Sequence, residues 1–204
     1  SRSFKLASLS RIVARAGIAK GSIYQYFENK LDLYRWLVLE EGPRIKAAFL
    51  GLDAQKDAAD FFGRAEEMML AGLRFTLEHP RLARLMARIT EQGGESELRD
   101  LSGQLRKMSH QYMTQWIEEG QRAGTLRSDM DPRLAAHLAS AFMGAGFVDA
   151  LFDRAGVDLF EALEDPSKLR SIPDDEAREL VRGAVDMLRR GLGTSENPIE
   201  EVSS

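Results

Sequence analysis

The chain has 204 residues, a hydrophobic share of 44% and a net charge of −4, enough apolar material for a packed core and too much for general disorder. It contains no cysteine, which excludes a disulfide scaffold, thiolate metal sites and a cysteine nucleophile, and is compatible with a reducing cytoplasm. The charge is uneven: residues 1–36 carry seven basic side chains (Arg2, Lys5, Arg11, Arg15, Lys20, Lys30, Arg35) and two acidic ones (Glu28, Asp32), leaving 21 basic and 30 acidic for the remainder. A basic head on an acidic body is the asymmetry expected where one end meets phosphate.

The first element is a short helix. Ser8 is a good N-cap, because its hydroxyl can accept from an orphan backbone N–H. Leu9, Ile12, Val13 and Ala16 follow at i, i+3, i+4, i+7. Gly17 ends the helix, since a residue without Cβ takes positive φ cheaply, and Ile18 is the apolar residue expected to pin the turn. A second helix is predicted from about Ala19 to Phe27, with Ile23 and Phe27 inward and Lys20, Ser22, Tyr24, Gln25 and Tyr26 on the other face. Two helices, a glycine turn and a polar, aromatic second helix form the helix-turn-helix pattern, whose second helix enters the major groove.

The string Ile12 to Tyr34, with Ala16-Gly17-Ile18, Gly21-Ser22-Ile23-Tyr24, Tyr26-Phe27, Lys30 and Leu33, resembles the tetracycline-repressor (TetR) family of bacterial transcriptional regulators. The resemblance implies a DNA-binding head, an effector-binding helical body and a dimer. It also implies DNA contacts for Lys20, Ser22, Tyr24, Tyr26 and Lys30. The chain departs from the family at two places. Ala19 stands where Ser or Thr is usual, so the second helix lacks its side-chain cap. The family's opening helix of roughly four turns cannot fit into Ser1–Ala7 at 1.5 Å per residue, so the natural N-terminus is expected to extend further.

Every later periodic segment reads as helix. Asn29 caps a helix from Lys30, interrupted at Gly42-Pro43, where proline lacks a donor and clashes with the preceding turn; it is expected to kink there and resume to about Leu50. Further helices are predicted over Asp57–Glu78, over Leu82–Ile89 after His79-Pro80, and over Glu95–Ala123 after Gly93-Gly94. The last of these carries a stripe of Leu98, Leu101, Leu105, Met108, Tyr112 and Trp116. Asp131-Pro132 opens another helix, to about Arg154. Residues 156–173 read as an irregular connection with room for one helical turn. The final helix, Asp174–Arg190, has acidic residues at its positive end and arginines at its negative end. The whole is all-α: a head (1–36), a helical effector-binding and dimerisation body (37–193), and a tail (194–204) expected to be disordered.

Three constellations carry the functional expectations. The DNA surface comprises Ser8, Lys20, Gly21, Ser22, Tyr24, Gln25, Tyr26 and Lys30. Lys30 and the helix start at Ser8 face phosphate, Gly21 permits close approach, and Gln25 can pair with adenine at two points. The alternative for Tyr24 and Tyr26 is packing. The pocket set is Met69, Phe75, Met86, Met108, Tyr112, Trp116, Phe142 and Phe147, with Met68, Met113 and Met143 nearby and Arg88, Gln92, His110, Gln115 and Asp149 as polar handles. Such side chains suit an adaptable apolar cavity; an ordinary helical core is the alternative. The dimer face comprises Leu138, Ala141, Ala145, Val148 and Phe152 (with Leu134) on one helix and Leu180, Val181, Ala184 and Leu188 (with Ala177) on the last, and Ala139, Ser140, Gly144 and Gly146 would permit close approach. Burial within one chain is the alternative there. In the resembled family these last two long helices form a four-helix interface.

No His-x-x-x-His spacing, phosphate loop, dinucleotide fingerprint or Gly-x-Ser-x-Gly occurs, so no catalytic residue, metal site or cofactor is expected, only a small apolar or amphipathic effector. The first residues lack an apolar h-region. The longest apolar stretch, Leu134–Val148, is broken by His137 and followed by Asp149, which reads as too short and polar for a membrane span. The expected partners are double-stranded DNA, a second copy and the effector, in the cytoplasm and without a membrane. The expected function is a ligand-responsive regulator, a repressor that binds a palindromic operator as a homodimer and leaves it when the effector binds. Two other readings stay open: a helical ligand-sequestering or protein-binding module without DNA binding, and a helical enzyme with an active site in the body.

Overall fold

The computed structural model describes residues 8–50, 61–90, 96–158, 161, 162, 165, 168 and 174–194. The helices are α1 (Leu9–Ala16), α2 (Lys20–Ile23), α3 (Lys30–Trp36), α4 (Gly42–Leu50), α5 (Phe61–Glu78), α6 (Pro80–Thr90), α7 (Ser96–Arg122), α8 (Pro132–Ala141), α9 (Phe147–Ala155) and α10 (Asp174–Leu192). Two π-turns join α3 to α4 (Leu37–Glu41) and α8 to α9 (Phe142–Gly146). Among the described residues there is no strand, only an isolated bridge between Leu126 and Gly193 that ties the α7–α8 connection to the end of α10.

The predicted caps form. Ser8 Oγ accepts from Arg11 N at 3.3 Å. Asn29 Oδ1 accepts from Asp32 N at 3.0 Å, while Asp32 Oδ2 accepts from Glu28 N at 3.1 Å, a reciprocal arrangement that satisfies donors at the helix start. Asp131 caps α8, with Pro132 in its first turn. Gly17 takes φ 69°, and the Ile18 amide donates to Val13 O. The Ile18 side chain is exposed, so this turn is closed by its backbone rather than pinned by its side chain.

The Gly42-Pro43 break is absorbed rather than expressed as an interruption. Gly42 N–H donates to Leu37 O across the π-turn, and the extra residue relieves the crowding that a proline ring imposes on the carbonyl four residues back. The Leu37–Glu41 turn packs against α7. Val38, Ile89 and Leu101 are its buried centre, and Leu31, Tyr34, Leu85, Met86 and Leu105 surround them. The connector therefore joins α3 of the head to α6 and α7 of the body through one apolar cluster.

The main core lies between α5, α7, α8, α9 and α10 and includes Phe61, Ala65, Met69, Met113, Trp116, Ile117, Ala136, Ala139, Phe147, Leu151, Val181 and Leu188. By length and composition Pro132–Arg154 is a helix long and apolar enough to cross a membrane, contrary to the sequence expectation. Its apolarity has a local use, because Ala135, Ala136, Ala139, Met143, Phe147 and Leu151 are buried in the core. The expectation for 156–173 falls largely outside the described residues, although Glu161 and Ala162 are helical there. Residues 1–7, and the tail beyond Thr194, lie outside them as well.

Candidate nucleic-acid interface and helical body

The second helix of the head is shorter than predicted. α2 ends at Ile23, and Tyr24–Tyr26 continue as turns, with Gln25 N donating to Ser22 O and Phe27 N to Ile23 O. Ala19 supplies no side-chain cap, as its departure from the family string implies, and Gly21 adds backbone entropy. A short, uncapped helix is held instead from behind. Ile23 and Phe27 are half-buried, and the Phe27 ring meets the Trp36 indole at a centroid distance of 5.5 Å and 54°.

This support leaves the polar face outward. Ser8, Gly21, Ser22, Tyr24, Gln25 and Tyr26 are all exposed, Tyr26 by 76% and Tyr24 by 48%. Among the described residues, neither tyrosine is buried. Lys20 opens α2, and Lys30 opens α3 and is half-buried. Ser22, Tyr24, Gln25 and Tyr26 place exposed hydroxyl, phenol and amide groups close together along the most basic part of the chain, and such groups can donate to phosphate and to base edges.

The eight residues of the pocket set lie in different surroundings. Met69, Phe75, Trp116 and Phe147 are buried and Phe142 is partly buried. Met86 belongs to the separate cluster around Val38. Met108 and Tyr112 are exposed, by 43% and 41%. The predicted stripe steps by seven from Leu101 to Met108 and from Leu105 to Tyr112, and a 3.6-residue period drifts about 20° with each such step. The inward edge of α7 instead runs through Leu101, Leu105, Met113, Trp116, Ile117 and Gly120. Of the polar handles, His110 stacks on His137 at 4.1 Å, Gln115 bonds to Glu119 and Asp149 is exposed. Gln92 and the side chain of Arg88 lie outside the described residues.

The dimer set divides as well. Leu138 and Ala141 are exposed, and so is Leu134. Phe152 is buried in its own chain against Ala162 with Leu77, Val148 and Val157, and Val181, Ala184 and Leu188 are buried in the main core. The cause for Phe152 is the π-turn at Phe142–Gly146. One extra residue advances the exposed face of α9 by one position, so the line from Leu138 continues through Phe142, Gly146 and Ala150, and Phe152 turns inward. The side chain of Ala145 lies outside the described residues. Phe142, Gly146 and Ala150 instead line one wall of a groove of about 420 Å³, and Leu180, Gly183, Ala184 and Met187 of α10 line the other, with Arg154 and Glu179 also at its margin. Gly183 and Met187 were missed in the sequence, but they had a signal: among exposed positions of α10, only Gly183, Met187 and Gly191 are uncharged, at i, i+4, i+8.

Comparison with known proteins agrees with this anatomy. The family model described as bacterial regulatory proteins, tetR family, matches residues 1–36. A TetR family transcriptional regulator from Chloroflexus aurantiacus has 27% identity and a TM-score of 0.65, over 95% of this chain and 87% of that one. The fatty acid degradation regulator FadR from Bacillus halodurans has 18% identity and a TM-score of 0.62, over 90% and 84%. FadR from Bacillus subtilis, solved in complex with stearoyl-CoA, has 17% identity and a TM-score of 0.61, over 89% and 87%. No curated protein matches the chain. The head, residues 1–36, thus matches the tetR family of bacterial regulatory proteins, and the chain as a whole is similar in fold to a TetR family transcriptional regulator.

Proposed function

We propose that this protein is a cytoplasmic repressor that binds a two-fold symmetric operator as a homodimer through residues 1–36 and releases it when a small effector enters the body, residues 37–193. The observation that carries the reading is the exposed ridge Ser22, Tyr24, Gln25, Tyr26, fixed from behind by Ile23, Phe27 and Trp36. Side chains on a rigid base reach base edges with little ordering cost, and Gln25 is the residue suited to bidentate adenine readout. Ser8, Lys20, Gly21 and Lys30 serve phosphate and close approach.

One such head covers few base pairs, so specificity needs a pair of heads about 34 Å apart. Large apolar side chains left in water on α8 and α10 support a second copy as the cover. Met187, Leu138 and Leu134 are exposed by 63%, 57% and 52%, and the groove that Met187 lines includes the small residues Gly146, Ala150, Gly183 and Ala184, which a helix ridge can approach closely. A self-complementary patch of this kind closes as a two-fold dimer. Head spacing is then set by how each head is carried on its body. The Val38 cluster joins α3 directly to α6 and α7, so an effector that shifts either helix biases the spacing. Coupling of about 1–3 kcal/mol would weaken operator affinity roughly 5–150-fold.

The test is fluorescence anisotropy with a duplex recovered by selection from a random library. Binding should weaken steeply with salt, and effectors found by thermal-shift screening should release the duplex. A salt-insensitive duplex affinity, or effectors that bind without changing it, would overturn the reading.

A further inference from the structure

Trp116 is 3% exposed, and its indole Nε1 is buried without a hydrogen-bond partner. An indole nitrogen only donates, and a buried donor left unpaired costs about 1–3 kcal/mol, so native structures rarely keep one without a use. Its surroundings are apolar: the Phe61 ring lies 4.6 Å away and the Tyr112 ring 6.4 Å away between centroids. One cation sits over it. The Arg64 guanidinium is 5.0 Å from the Trp116 ring centroid, and its ion-pair partner among the described residues, Glu119, is 4.0 Å distant, beyond hydrogen-bond reach. Arg64, with a side chain 22% exposed, and Tyr112 are the more exposed members of the group.

Two under-used donors, one of them a fixed positive charge, over an aromatic and methionine-rich interior call for a ligand with an acceptor at one end and an apolar body. We infer that the effector is an organic acid whose carboxylate accepts from Trp116 Nε1 and from the Arg64 guanidinium, while its hydrocarbon part packs against Phe61 and Met113. Arg64 supplies a planar fork that matches a carboxylate. A neutral ligand would satisfy the indole and forgo the charge. The site rests on the reading of the body as effector-binding and gives that effector its chemical class.

The sequence has two tryptophans, so Trp36→Phe leaves Trp116 as the sole fluorescent reporter. The probes are straight-chain carboxylates from butanoate to hexadecanoate, plus benzoate and 1-naphthoate, each set against the alcohol of the same skeleton. At least one acid should change Trp116 emission and bind tenfold or more tighter than its alcohol. Arg64→Gln should abolish that preference. Trp116→Phe, followed by isothermal calorimetry, should weaken acid binding while leaving the melting temperature near that of the parent. Equal binding of acid and alcohol, or acid binding unmoved by both substitutions, overturns this site yet leaves an effector-binding body intact. Binding by no acid of the panel overturns the organic-acid class, and screening with other chemistries then decides separately whether the body binds effectors at all.

Discussion

Phe27 and Trp36 meet at 5.5 Å between ring centroids, and through this contact the residue closing the reading turn leans on the last residue of α3. The turn has little else to hold it, because α2 is four residues long and uncapped. Phe27→Ala is expected to lower stability by about 1–3 kcal/mol, less than a fully buried phenylalanine costs, and to weaken duplex binding while leaving the proposed two-fold assembly intact. Urea unfolding followed by Trp36 emission in a Trp116→Phe background, with sedimentation alongside, checks both parts.

Gly42 illustrates how proline is tolerated inside a continuous helix. A Cβ built at Gly42 would stand 2.6 Å from the Leu37 carbonyl oxygen, a backbone atom of the π-turn, whereas a Cβ at Gly72 on α5 meets nothing within 4 Å. Gly42→Ala is therefore expected to destabilise by roughly 1–3 kcal/mol and to disturb the join between head and body. Gly72→Ala should be neutral or stabilising by up to about 1 kcal/mol, since alanine is the better helix former. Thermal unfolding of the two variants side by side decides it; equal effects would count against the π-turn geometry.

The exposed ridge predicts separation of binding from stability. Gln25→Ala and Tyr26→Ala remove side chains in water, so each should change stability by less than about 0.5 kcal/mol. Gln25→Ala should cost about 1–3 kcal/mol of sequence discrimination. Competition of selected against scrambled duplex in anisotropy measures this, and a Gln25→Ala protein with undiminished discrimination would exclude direct readout by that residue.

The proposed two-fold face and the core behind it should respond differently. Leu138→Glu or Met187→Glu places a charge where a second copy would cover it and is expected to yield a folded monomer by analytical ultracentrifugation. Phe152→Ala hollows the buried cluster with Ala162 and should cost about 3–5 kcal/mol without the same shift to monomer. A dimer surviving both glutamate substitutions would move the interface elsewhere.

The π-turn also carries a pH signature. Arg44 donates to Glu41 at 2.8 and 2.7 Å, and these hydrogen bonds hold the Glu41 carboxyl below the ordinary range. A carboxylate depressed in the folded state stabilises above its unfolded pKa, near 4.3, and that contribution is lost as pH falls through the lower folded value. Arg44→Gln should therefore be less stable than the parent at pH 7, and the gap should close toward pH 3. A gap constant across that range would mean the pair contributes no linkage.

Local chemistry made much of this molecule legible in the sequence. The caps at Ser8, Asn29 and Asp131, the αL glycine at position 17, the bare start at Ala19 and the outward ridge of Ser22 to Tyr26 each depend on residues within a turn or two of one another. Their consequences needed no knowledge of distant neighbours. The apolar stripes were legible only as stripes. Periodicity shows that a helix has a buried side, but which element buries it, and whether that element belongs to the same chain, is a question of packing. Met108 and Tyr112 left the core because a seven-residue step drifts on a long helix. Phe152 entered it because a π-turn, which carries no strong residue signature, rotated α9 by one position. Val181 and Leu188 went inward while Gly183 and Met187 took the groove. The orphaned Trp116 nitrogen and the arginine above it belong to helices far apart in the chain, so only the tertiary structure could bring them together.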